Sequence, residues 1–199
     1  MNPSAPSLRL RQRQQTYVEI VRTAFELFAH DGYDAVPVEA IAAAAGVSRA
    51  TFFNYFPRKE ALLLEIARAR STRLKGLLEE FRASGREPSY PALVELILEL
   101  NRENARIGSG ARELLLKAFA AHITHGKLLP AREQAVQALA EIVATIPRRG
   151  SANPMLVAET LFAVALNTML EWLMRKDAPQ NWLIQTMRAR LELVIGGVQ

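Results

Sequence analysis

Residues 40–53 read Ala40-Ile41-Ala42-Ala43-Ala44-Ala45-Gly46-Val47-Ser48-Arg49-Ala50-Thr51-Phe52-Phe53, a spacing that suits two short helices meeting at a steep angle. Such a crossing needs small residues at the contact, a residue that tolerates left-handed backbone at the turn, and apolar side chains to lock both helices. Ala42, Ala45, Gly46, Val47, Ile41 and Phe52 meet those needs at helix-turn-helix spacing. Ser48 is a fitting N-cap for the second helix, SRATFFNYF, and Pro57 closes it, because the residue before a proline is pushed out of the α region. Pro37 takes the first turn of the preceding helix, PVEAIAAAA, where its missing N–H costs nothing. A compact helical corner with no ligand would share these ingredients, so the stretch alone leaves both readings open.

Working outward, nearly every readable period is helical, and alternating β-branched runs bounded by Asn-Gly or Asp-Gly are missing. The expected fold class is all-α. Upstream, Val18, Val21, Ala24, Phe25 and Phe28 form one stripe from Tyr17 to Ala29, stopped by His30-Asp31-Gly32. Downstream, an amphipathic helix runs from about Lys59 to Phe81, with Leu62, Ile66, Ala69 and Leu77 on one side, and Ser84-Gly85-Arg86-Glu87-Pro88 breaks it. Five more periodic segments follow, roughly Tyr90 to Ile107, Ala111 to His122, Ala131 to Ile146, Pro154 to Lys176 and Pro179 to Ile195.

The chain of 199 residues, 50% of them hydrophobic, is long enough for one large domain or a small domain fused to a larger one. The expected division is a flexible basic arm over 1–13, a helix-turn-helix domain over 14–74 with its motif at about 37–56, and a helical domain over 75–199. With no cysteine, disulfides, thiolate metal sites and cysteine nucleophiles are excluded, and a cytoplasmic location is the natural reading. No run reaches the roughly 18 uninterrupted apolar residues of a membrane span, and MNPSAPSLRLRQRQQ lacks a signal-peptide apolar region. The net charge of +5 favours a polyanionic partner. Before the first acidic residue, Glu19, stand Arg9, Arg11 and Arg13, in a segment with Pro3 and Pro6 and no helical period. That arm reads equally as a phosphate or minor-groove contact or as a solvated terminus.

On the helix beginning at Ser48, Arg49, Ala50 and Thr51 occupy the first turn, with Asn54 and Tyr55 a turn later. In a major groove, arginine pairs with guanine, asparagine with adenine, and an alanine or threonine methyl contacts thymine. Ser48 and Lys59 suit phosphate, from a helix N-terminus and from the start of the next helix.

The wider stretch FELFAHDGYDAVPVEAIAAAAGVSRATFFNYFPRKEALLLEIA closely resembles the N-terminal domain of the TetR family of bacterial transcriptional regulators, from about Tyr17 to Ala67. Its hallmarks here are Ala24, Phe28, Gly32, Tyr33, Ile41, Ala42, Ala45-Gly46-Val47-Ser48, Thr51, Phe53, Tyr55, Phe56, Lys59 and Glu60. The resemblance implies a three-helix DNA-binding domain joined by helix four to a ligand-binding and dimerisation domain. It also implies a repressor released from a palindromic operator by a small-molecule effector, with Phe53 and Tyr55 among the DNA-facing residues. Where the family commonly caps helix two with Thr or Ser, this chain has Val36, Pro37 and Val38. Phe53 stands where relatives often have Tyr, and Tyr55 where they often have His.

Beyond helix four, LFAVALNTMLEWLM is apolar around nearly its whole circumference, and WLIQTMRARLELVIGGV follows it. Such helices need more than one partner. The resemblance implies an intermolecular four-helix bundle and hence a homodimer, with an intramolecular core as the alternative. Polar residues on apolar faces, Asn101, Asn104, His122, Asn167 and Trp172, are the candidates to line a pocket for an apolar or aromatic effector, each also readable as a satisfied core residue. His122 and His125 stand three apart without a carboxylate in register, so no metal site or cofactor is expected. No Ser-His-Asp elbow, phosphate loop or dinucleotide fingerprint marks an enzyme. The alternative function is a helical protein-interaction module that keeps the fold without binding an operator.

Overall fold

A computed structural model describes residues 8–105, 109–147, 152–175, 177–179 and 181–197, without the side chains of 70, 71, 103, 104, 109 and 110. The expected pocket residue Asn104, as a side chain, and the first seven residues of the arm therefore lie outside the described residues. The described chain folds into helices α1 (Leu8–Asp31), α2 (Val38–Ala44), α3 (Arg49–Tyr55), α4 (Glu60–Ala83), α5 (Tyr90–Ala105), α6 (Ser109–Thr124), α7 (Leu128–Thr145), α8 (Pro154–Met174) and α9 (Trp182–Gly196).

The first helix starts nine residues before the apolar stripe, at Leu8 rather than Tyr17. Arg9, Arg11 and Arg13 thus stand on exposed helical turns, which corrects the expectation of an arm without helical structure over residues 8–13. Leu, Arg and Gln are all good helix formers, so propensity carries the helix outward without any packed face. The stripe itself is rotated: Ile20, Ala24 and Phe28 are fully buried, whereas Val18 is exposed.

The turn after α2 has the bonding of a Schellman cap, with Val47 N–H donating to the Ala42 carbonyl (2.9 Å) and Gly46 N–H to that of Ala43 (3.1 Å). Gly46 has φ of +67°, a conformation that side chains with a Cβ rarely adopt. Pro37 sits at the N-cap of α2 rather than in its first turn. Phe52 and Phe56 pack into one aromatic cluster, their ring centroids 5.8 Å apart, with Tyr17 stacked on Phe56 at 5.2 Å.

From α4 onward the chain is a helical array in which α4 packs on α6, α7 on α8, and α9 on α8 and α5. The α4 helix runs unbroken across residue 74, and α6 also lies against α1, so one apolar core joins Ile20 and Phe52 to Leu161 and Leu191. The buried side of α4 is Leu62, Leu63, Ile66, Ala67, Leu77, Leu78 and Phe81, while Ala69 faces solvent. By length and composition α8 is apolar enough to cross a membrane, with 33% of its most apolar window buried within the fold. Its polar groups are engaged by the same chain: Glu171 receives Arg190 (2.8 Å) and Arg175 (2.6 Å), and Glu159 receives Arg132 (3.3 Å).

Candidate nucleic-acid interface and helical pocket

The second short helix is fixed at its start by its own side chains. Ser48 Oγ accepts from the Thr51 N–H (3.0 Å) and lies 2.9 Å from Thr51 Oγ1. This satisfies one of the N–H groups that a helix start leaves unbonded. It also occupies Thr51's hydroxyl, leaving chiefly its methyl group free for a base. Beyond the cap, Arg49, Ala50, Phe53 and Asn54 face solvent together, whereas Tyr55 is partly buried against Phe56. Phe53 remains 38% exposed, high for an aromatic ring on a folded surface.

Arg49 is held in place before any ligand arrives. Its guanidinium pairs with Glu39 of α2 (2.9 Å) and lies 5.5 Å from the Phe53 ring centroid. Both partners of the ion pair are well exposed, so it contributes at most about 1 kcal/mol. Glu39 was not singled out in the sequence, although an acidic residue in the first turn of α2 is legible there.

Lys59 departs from expectation. Its ammonium donates to the Tyr33 carbonyl and lies 4.4 Å from the Tyr33 ring centroid and 5.5 Å from that of Phe28. Desolvation by this packing lowers its pKa, against opposing attraction from Asp34 and Glu60. These contacts tie the start of α4 to the α1–α2 loop, the lysine's long stem lying over two aromatic faces. The exposed cation at that turn is its neighbour Arg58, which the sequence reading passed over and whose Nη2 lies 3.4 Å from His125 Nε2.

The α6 helix connects this region to the rest of the molecule. Lys117 donates to Asp34 in the α1–α2 loop (2.8 Å), which lowers the Asp34 pKa and raises that of Lys117. In the C-terminal half, Asn101 is buried and its amide donates to the Ile97 carbonyl one turn back (2.8 Å). His122 is buried near the end of α6. Trp172 is fully buried, but Asn167 is exposed: five residues apart, the two project from different faces of α8. Asn167 is therefore not brought to the interior with Trp172. Arg112, in the first turn of α6, stacks over the Trp172 ring (4.2 Å to the centroid). It was missed in the sequence because only tertiary packing brings it there. No group of three or more His, Asp or Glu side chains able to hold a metal occurs among the described residues.

A capped helix presenting Arg49, Ala50, Phe53 and Asn54 beyond a glycine turn, on a domain carried by a larger helical array, defines a helix-turn-helix regulator. The family model described as "Bacterial regulatory proteins, tetR family" matches residues 20–66. Among curated relatives, the HTH-type transcriptional regulator TcmR of Streptomyces glaucescens is 42% identical over 62 residues, a match spanning 31% of this chain and 27% of that protein. The putative mycofactocin biosynthesis transcriptional regulator MftR of Mycobacterium tuberculosis is 28% identical across 94% of this chain and 93% of its own. Among solved structures, Thermus thermophilus FadR, a TetR-family repressor in complex with lauroyl-CoA, is 31% identical, with a TM-score of 0.61 over 92% of this chain and 95% of that one. The repressor SmeT of Stenotrophomonas maltophilia shares the fold, with a TM-score of 0.70 at 17% identity over 92% of this chain and 89% of its own. The chain belongs to the TetR family, whose members are transcriptional regulators rather than enzymes.

Proposed function

We propose that the protein is a homodimeric, cytoplasmic transcriptional repressor that binds a palindromic operator and is released by a small apolar effector. The observation that carries this reading is the solvent-facing set Arg49, Ala50, Phe53 and Asn54 on a Ser48-capped helix. Arg49 and Asn54 read base edges, Ala50 and the Thr51 methyl offer contacts to thymine, and the exposed start of α3 approaches phosphate through Ser48. Tyr55, partly buried beside that set, flanks it, and Lys59 supports the surface from beneath.

Dimerisation is supported by the outward faces of α8 and α9. Leu156 and Met174 on the first, and Leu193 on the second, at 79% exposed, leave apolar area that a partner's α8 and α9 would cover. A two-fold dimer also matches operator half-sites about 34 Å apart. The effector reading draws on the apolar α4–α9 core and on the similarity to a repressor that binds lauroyl-CoA. Among the described side chains, Asn101, His122 and Trp172 remain those proposed to face that effector.

The test is selection from randomised duplexes with the purified protein, repeated on the best site at several salt concentrations. An enriched palindrome bound by a dimer, with affinity falling steeply as salt rises, is the expected result. Weak, salt-independent binding without enrichment would overturn it in favour of a protein-interaction module.

A further inference from the structure

Where the start of α6 meets the end of α8, two buried N–H donors have no acceptor. The Trp172 indole Nε1–H and the Arg112 Nε–H are both buried and unbonded. Each terminal nitrogen of the guanidinium makes one bond, Nη1 donating to the Arg175 carbonyl (3.2 Å) and Nη2 to that of Ala178 (3.4 Å), at and just beyond the end of α8. Those carbonyls fix the guanidinium over the Trp172 ring, 4.2 Å from its centroid. Among the described residues, no carboxylate pairs with Arg112; its sequence neighbour Glu113 instead faces Lys117. The cation is thus held by neutral groups, with its Nε–H buried and unbonded and a second unbonded donor on the ring beneath it.

We propose that Arg112 and Trp172 form the polar end of the effector site and receive the carboxylate of an otherwise apolar acid. A carboxylate placed against the stacked pair would accept from Nε–H and Nε1–H while its charge neutralises the guanidinium. A trapped water would fill the acceptor role but leave the charge unpaired. Leu114 on α6 and Leu173 on α8, near in sequence to Arg112 and Trp172, are buried in the apolar core, which suits an apolar remainder. Arg112 opens the helix that also holds Asp34 through Lys117, so occupancy of this corner bears on an element touching the DNA-binding domain. The inference rests on the reading that the C-terminal helices take a small-molecule effector.

The experiment titrates the full-length protein with two matched pairs, dodecanoate against dodecanol and benzoate against benzyl alcohol, in a Trp182→Phe background where Trp172 is the remaining indole. Fluorescence and calorimetry report binding without DNA. In the parent protein at least one acid binds saturably and at least tenfold tighter than its alcohol. In Arg112→Lys and in Trp172→Phe that preference collapses towards unity; the second variant, followed by calorimetry, keeps an aromatic ring, so it separates the loss of a donor from a failure to fold. Equal affinity for acid and alcohol in the parent, no saturable acid binding, or a preference surviving both substitutions would overturn the proposal. Acid binding that leaves an operator complex untouched would support this site while removing the repressor reading. Release by the alcohols alone would do the reverse.

Discussion

At the scale of single residues, one cation of the helix-turn-helix domain reaches outward from α3 and another braces the start of α4. Arg49 is exposed and only weakly held by Glu39, so Arg49→Ala should relax preference at about one base pair and cost ~1–3 kcal/mol on the selected site. Competition binding against single-base variants checks this, and equal losses on specific and random duplexes would contradict it. Lys59 braces: its ammonium, bonded to the Tyr33 carbonyl between two rings, ties α4 to the loop behind the motif. Lys59→Ala should therefore lower stability by about 1–3 kcal/mol, the value of a partly buried hydrogen bond to a charged group. A thermal melt would show this as a drop of several degrees for a chain of this size. An unchanged melting temperature with uniformly weakened DNA binding would return Lys59 to the phosphate role.

At the scale of elements, α8 and α9 do two jobs with different faces. Leu161, Trp172, Leu183, Met187 and Leu191 are fully buried within the chain, while Leu156, Met174 and Leu193 point away from it. A helix apolar all round is stable only if both sides are covered. Removing residues 177–199 deletes α9, so the truncated chain should be monomeric or insoluble by size-exclusion chromatography with light scattering. A soluble dimer from that chain would disprove the assignment of the interface. The pair is also tied by charge: Arg190 of α9 reaches both Thr168 (3.1 Å) and Glu171 (2.8 Å) of α8.

At the scale of the whole molecule, ion pairs join elements far apart in sequence. The Arg188 and Arg102 guanidinium groups lower the Glu95 pKa, Arg190 and Arg175 lower that of Glu171, and Lys117 lowers that of Asp34. A carboxylate with a folded pKa below its unfolded one adds stability that is complete above the ordinary carboxylate range and disappears as pH falls through the folded value. Because the groups are largely exposed, each contribution is small. The urea midpoint should thus be nearly flat from about pH 8 to 6 and fall below about pH 4. A midpoint unchanged down to about pH 3 would remove these pairs from the account of stability.

The amino-acid order by itself determined the helical class, the helix-turn-helix motif and the positions of its breaks. These depend on local chemistry: Ser48 caps because its hydroxyl reaches an N–H three residues on, and Gly46 turns because it lacks a Cβ. The exposed set on α3 was legible for the same reason, since one short helix fixes which side chains share a face. Tertiary structure decided the rest. It turned Lys59 inward, sent Asn167 to the surface and brought Arg112 of α6 onto Trp172 of α8, sixty residues away. Periodicity specifies which residues of one helix share a face, but not which helix that face meets. A long side chain such as lysine or arginine takes its partner from whichever neighbour packing supplies.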